Sequence, residues 1–225
     1  MLDISRDGTL LACANRDSGT VTIVELVSNT KVAETAVGKH PEGVSFLGES
    51  HRLAVAVYDD DRVVLLNAET GAITHRIDVF DEPYGVVSNR DGTRAFVSLD
   101  YPGQVVEIDT AAEKIVRTFE AGEFARGIAL SPDQSRLFVT QYYSGSVLAI
   151  DLVSGKIVDQ WLGISNDNLA RQIAIHPLRD KAERCCSARQ VALLLGRNQV
   201  RHVPQWAAVY RLGSQGDADA RRGHG

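Results

Sequence analysis

Apolar residues along this chain come in short runs. Leu53-Ala54-Val55-Ala56-Val57, Ala95-Phe96-Val97-Ser98-Leu99 and Leu137-Phe138-Val139-Thr140 each end within five residues, and Lys156-Ile157-Val158-Asp159-Gln160-Trp161 mixes apolar and polar positions. Between the runs lie Asp-Gly, Thr-Gly and Ser-Pro-Asp clusters, whose residues reach left-handed backbone or hydrogen-bond their own turn. Short β-branched runs, punctuated roughly every 8–12 residues, predict strands joined by tight turns. The 3.6-residue stripe of an amphipathic helix is missing from these segments.

The runs recur every 42 residues. Gly43, Gly85 and Gly127 share one phase, and Asp7, Glu49, Asp91 and Asp133 another. Val21, Val63, Val105 and Val147 form a valine column, and Val24, Leu66, Ile108 and Ile150 a column of large aliphatics. Each unit reads as four strands: A at Gly43–Phe46, B at Leu53–Val57, C at Val105–Asp109 and D at Lys156–Trp161, to take one example of each. A four-stranded unit of about 40–45 residues has the size of one propeller blade. The predicted fold is all-β: a partial β-propeller of about four four-stranded antiparallel blades. Their expected bounds are 1–41, 42–83, 84–125 and 126–167, with a fifth blade starting at 168–182.

Pro41-Glu42-Gly43-Val44, Pro83-Tyr84-Gly85-Val86-Val87-Ser88, Val105-Val106-Glu107-Ile108-Asp109 and Ser154-Gly155-Lys156-Ile157-Val158 carry a further signal. They resemble the YVTN-type, WD40-like β-propeller repeat, over roughly residues 3–182. The resemblance implies a ring that usually closes with seven blades, more than 225 residues supply at this period. It also implies a bacterial parent in the periplasm or at the cell surface. Relatives of this group include exported proteins, proteins fused to or paired with c-type cytochromes and, further off, seven-bladed lactonases. Propellers host many unrelated activities, so the resemblance speaks to fold before function.

The pattern enters blade 1 without most of its strand A and stops after Ala182. The column that should supply another apolar strand B holds Glu183-Arg184-Cys185-Cys186-Ser187. Residues 1–182 carry 26 acids and 17 bases, whereas residues 183–225 carry three acids and seven arginines. These observations predict a propeller truncated at its N-terminus and frame-shifted after about residue 182, the Arg-rich tail not being native propeller sequence. The competing reading is a genuine basic tail that contacts an acidic partner. Within the tail, Ala188–Leu195 suits a short helix and Gly213–Gly225 suits disorder. An arc of this kind exposes apolar blade faces at its ends and is prone to associate through these open edges.

Composition narrows the remaining classes. A hydrophobic fraction of 44% and a charged fraction of 24% are those of an ordinary globular chain. The formal net charge of −5 argues against a nucleic-acid partner, which calls for a basic footprint. No apolar stretch is long enough for a membrane span, and Met1–Gly8 lacks the features of a signal peptide. Cys13, Cys185 and Cys186 do not make a disulfide framework, and Cys13, in the column of Val55, Val97 and Val139, reads as core.

In an antiparallel A-B-C-D meander the D–A and B–C loops share one face of the disc. Glu42, Tyr84, Arg126 and Arg171 occupy equivalent D–A positions and are expected to line the channel mouth. Tyr58, Asp60, Tyr101, Tyr142 and Tyr143 fall in the B–C loops, so five of the six tyrosines are predicted on this face. Tyrosine and arginine are over-represented in binding hot spots, and loops held by a rigid scaffold are where binding resides. For Tyr84 and Arg126, alanine substitution is expected to abolish binding at little cost in stability. Asp59-Asp60-Asp61 reads as a solvated acidic loop, since it lacks the spaced ligands of a calcium site. His40, His51 and His176 show no metal-ligand spacing. Nucleophile-elbow, phosphate-loop, zinc-protease and haem-attachment motifs are absent, so neither cofactor nor metal is expected. The functional expectation is a non-catalytic binding scaffold for a protein or small-molecule ligand. The alternative is a piece of a propeller enzyme, lactonase-like or serving a redox partner.

Overall fold

The computed structural model describes residues 1–162, 169–175 and, as backbone, 182–186. Its architecture is all-β. Blade 1 comprises β1 (Leu2–Ile4), β2 (Leu10–Asn15), β3 (Thr20–Glu25) and β4 (Thr30–Ala36). Blade 2 comprises β5 (Pro41–Phe46), β6 (Arg52–Val57), β7 (Arg62–Asn67) and β8 (Ile73–Asp78). Blade 3 is built from β9 (Pro83–Ser88), β10 (Arg94–Leu99), β11 (Gln104–Asp109) and β12 (Lys114–Glu120). Blade 4 is built from β13 (Ala125–Leu130), β14 (Arg136–Gln141), β15 (Val147–Asp151) and β16 (Ile157–Trp161). Each blade is an antiparallel meander in chain order, and β17 (Ala170–Ile175) pairs with β18 (Ala182–Cys186). The four four-stranded sheets form a partial β-propeller. A single short 3₁₀ turn, Tyr58–Asp60, interrupts the strands among the described residues.

Alternation along the inner strands sends side chains to both faces of each sheet, and both faces pack. Ala12, Val21 and Ile23 of blade 1 meet Leu53, Val55 and Val64 of blade 2. Ala54, Ala56 and Leu65, on the other face of blade 2, meet Val97 and Val106 of blade 3. Phe96 and Val105 then meet Leu137 and Val139 of blade 4, and Phe138 packs with Ile173 and Ile175 of β17. Fully burying a valine or leucine contributes about 1.5–3 kcal/mol, so these interfaces hold the stack together.

The glycine column has a clear physical role. A Cβ at Gly43 would collide with the Tyr84 carbonyl, one at Gly85 with the Arg126 carbonyl, and one at Gly127 with Gln172 backbone. Glycine therefore lets successive A strands converge around the axis. Buried hydroxyls lock the same junction. Ser98 Oγ accepts from Gly85 N (2.9 Å) and donates to Arg126 O (2.6 Å) in the next blade. Thr140 repeats the latch between Gly127 N (2.8 Å) and Ala170 O (3.0 Å). A bulge in the pairing of β9 with β10, and of β13 with β14, opens the ladder where these hydroxyls enter.

Two expectations change. Cys13 is half-buried, whereas Val55, Val97 and Val139 in its column are fully buried. No described element packs on the outward face of blade 1, where Leu2 and Ile4 are also exposed. The loss of strand B after Ala182 is corrected too: residues 182–186 run antiparallel to β17, with Ile173 opposite Arg184. Ladder hydrogen bonds are backbone bonds, so the free edge of β17 takes a partner despite the change in side-chain pattern. The expected helix at 188–195, the disorder at 213–225, and His176 lie outside the described residues. Among the described residues no helix is long and apolar enough to cross a membrane.

Candidate functional site

Backbone hydrogen bonds sort the loops onto two opposite ends of the blades. At one end the B–C loops of blades 2, 3 and 4 are tied to the D–A loops before them: Tyr58 N to His40 O (3.1 Å), Asp100 N to Glu82 O (2.9 Å) and Tyr142 N to Phe124 O (2.9 Å). His40, Glu82 and Phe124 each have φ between 45° and 56°, and Leu169, which begins the same junction at β17, has φ 75°. Left-handed backbone costs a non-glycine residue roughly 1–2 kcal/mol. Here it turns the carbonyl toward the B–C amide in three successive blades. The loops are thus pinned rather than loose, and strain of this kind tends to collect at functional surfaces.

Inside the face runs an interleaved charge–aromatic ladder. Asp100 is 2% exposed, and Arg126 donates to it from Nε at 2.9 Å and from Nη2 at 2.6 Å. Tyr58 donates its hydroxyl to Asp100 Oδ2 at 3.1 Å and meets Tyr84 edge-on, ring centres 6.2 Å apart. The Arg126 guanidinium lies 4.8 Å from the Tyr84 ring centre and 3.8 Å from that of Tyr142. Arg171 approaches the Tyr142 ring at 5.5 Å, and Glu42 accepts from Arg16 Nε at 2.6 Å. Burial alone would weaken the Arg126 cation, but its hydrogen bonds to Asp100 and that group's charge outweigh it and raise the pKa. Burial, followed by the charge of Asp100, raises the Tyr58 hydroxyl well above its usual range.

The predicted residues therefore fall into two sets. Tyr84, at 4% exposure, and Arg126 are internal supports rather than free surface, so the expectation that truncating them costs little stability is reversed. All four predicted mouth residues are the second residue of their A strand rather than loop residues. None of them lines the cavity along the axis. That cavity, about 720 Å³, is walled by residues one to three positions further on, among them Val44, Val86, Ile128 and Gln172. Tyr101 and Tyr143, by contrast, are 58% and 57% exposed. Tyr143 is steadied by edge-on contacts with Phe124 and Tyr142. Tyr58, Tyr142 and Asp60 are half-buried, and Asp60 Oδ2 accepts from Lys39 N at 3.2 Å.

Sequence reading missed Phe80, which is 70% exposed on the D–A loop of blade 2. It also missed Glu82 as a latch and Asp100 as the buried anchor. The signal for Phe80 was present: an aromatic residue between β8 and β9, outside any strand. Around it gather like charges. Burial raises the Glu82 carboxyl, and the charges of Asp100 and Asp81 add to this. Asp81 is raised by burial and by Asp61. Among the described residues no group of three or more His, Cys, Asp or Glu could hold a metal ion.

Fold and surface together define the class: a partial β-propeller that presents a pinned aromatic and acidic loop face at one end. Among solved structures the chain is similar to a hydrazine synthase chain of Kuenenia stuttgartiensis, with a TM-score of 0.78 and 23% identity over 94% of this chain. It spans 64% of that chain's length. At this identity the likeness establishes the fold alone. Propellers host many unrelated activities, so this likeness argues architecture rather than chemistry. No protein-family description and no curated protein sequence matches.

Proposed function

We propose that this chain is a non-catalytic binding scaffold whose D–A/B–C loop face engages a protein. The observation that carries the reading is the exposure of Phe80, Tyr101 and Tyr143 on loops that backbone hydrogen bonds and the Asp100–Arg126 ladder hold in place. Aromatic side chains displayed on a rigid frame give large contact area at low entropic cost. The charged groups beneath them are committed to one another: Arg126 is clamped to Asp100 and stacked between two tyrosines. That arrangement suits a support better than a group that polarises substrate. The repeat motifs favour a YVTN-type propeller, and the same resemblance supports a periplasmic or surface location in a bacterium.

Co-purification tests the reading. The full chain is recovered by affinity tag from cells that make it, as wild type, as Phe80→Ser/Tyr101→Ser/Tyr143→Ser, and as Val27→Ser/Val153→Ser. The last pair removes exposed apolar residues from the opposite loops. Co-purifying protein lost only from the first variant supports the proposal. Equal recovery with all three proteins contradicts it.

A further inference from the structure

The B–C loops of blades 2 and 3, with the D–A loops that follow those blades, share a chemistry. Residues 58–61, 79–82, 100–103 and 121–124 hold Asp59, Asp60, Asp61, Asp81, Glu82, Asp100 and Glu123, and not one lysine or arginine. Backbone bonds bring these segments together: Val79 N donates to Asp61 O (2.9 Å), Asp100 N to Glu82 O (2.9 Å) and Phe124 N to Asp100 O (3.0 Å). Arg126 neutralises Asp100 from the adjoining strand. Among the described residues no lysine or arginine forms an ion pair with Asp61, Asp81, Glu82 or Glu123. Phe80 and Tyr101 stand exposed on the same loops.

Resting on the binding-face reading above, we propose that the occupant of this face is a cationic segment of a protein, its lysine and arginine side chains seated among the blade 2 and 3 acids and against Phe80 and Tyr101. Three physical arguments carry this. Like charges with no lysine or arginine ion pair create a local potential, relieved only in part by the nearby Arg126, that a cationic partner relieves further and an anionic one worsens. Exposed aromatic rings beside carboxylates suit arginine and lysine, which offer a cation to the ring face and an apolar stem to its edge. The face already holds one arginine this way, since Arg126 stacks on Tyr84 and Tyr142 while its fork meets Asp100. The acids of the opposite loops are paired off more locally, as where His51 bridges Asp7 and Glu69 and Arg52 meets Glu113.

Fluorescence anisotropy with three labelled ten-residue peptides tests the proposal at physiological salt, where distant charges are screened. One peptide alternates lysine and arginine with serine, one alternates glutamate with serine, and one is uncharged. The cationic peptide is expected to bind at least tenfold more tightly than the others. Asp61→Asn/Asp81→Asn/Glu82→Gln, which removes three charges while keeping each side chain's size and one carbonyl oxygen, is expected to weaken it about tenfold. Glu49→Gln/Glu69→Gln/Glu113→Gln removes the same charge from the opposite loops and is expected to leave affinity within twofold. Equal weakening by both triple variants, or no preference for the cationic peptide, overturns the proposal. If that preference fails while the serine triple at Phe80, Tyr101 and Tyr143 still loses its co-purifying protein, the cationic partner falls and the binding face stands. If the serine triple loses nothing, the binding face itself falls.

Discussion

The Ser98 hydroxyl joins two blades by accepting from Gly85 and donating to the Arg126 carbonyl, in a place with no access to water. Ser98→Ala leaves both backbone groups buried and unpaired, which costs about 1–3 kcal/mol in urea denaturation; Ala56→Ser, where blade 2 has no such latch, is not expected to mirror that loss. Glu82 supplies a prediction of opposite sign. Its folded-state pKa is raised by burial and neighbouring carboxylates, so keeping it charged opposes folding. The cost is absent below the unfolded pKa, where both states are protonated, and is complete above the folded pKa. Glu82→Gln should therefore raise the melting temperature at neutral pH, with the gain vanishing near pH 3. A gain that persisted there would show that charge is not its cause. Asp133 behaves oppositely: hydrogen bonds from Ser131 and Ser135 hold it down at about 2. Its contribution is present above the ordinary aspartate pKa and disappears as pH falls toward 2. Asp133→Asn should accordingly flatten the acid limb of a stability profile.

Strands were legible in the sequence because inner strands are apolar on both faces and turns carry Asp and Gly. Gly43, Gly85 and Gly127 stood out as a column, although their reason, the approach of the next A strand, needed three dimensions. The candidate site was legible only as a set of loops. Tyr84 looked like its exposed neighbours because nothing in Pro83-Tyr84-Gly85 records that Arg126 stacks on its ring and Tyr58 meets it edge-on. Asp100 was hidden for the same reason, since an aspartate in a turn is ordinarily solvated. These placements separate two kinds of substitution at one face. Arg126→Ala strands Asp100 in a buried position and should cost about 3–5 kcal/mol, and Tyr84→Ala should cost a similar amount by opening a cavity. Phe80→Ser and Tyr101→Ser, on exposed loops, should stay within about 0.5 kcal/mol. Chemical denaturation of the four variants checks the contrast.

At the scale of the whole molecule, blade-on-blade packing turns local repeats into a frame that points equivalent loops in one direction. Blades 2, 3 and 4 contribute aromatic or acidic loops, and stacking adds them into a surface no single blade has. The outward face of blade 1 remains apolar and exposed at Leu2 and Ile4, so Leu2→Lys/Ile4→Lys should lower any concentration-dependent association seen by analytical ultracentrifugation. The change of composition past Ala182 could be read from the chain, but not that β17 would still recruit a paired strand, because backbone pairing ignores the side-chain pattern. Site-specific photo-crosslinking in cells that make the full chain tests the central claim most directly. With a photoreactive residue in turn at Phe80, Tyr101, Tyr143, Val27 and Val153, protein adducts are expected from the first three positions and none from the last two. Adducts confined to Val27 and Val153 would contradict that claim.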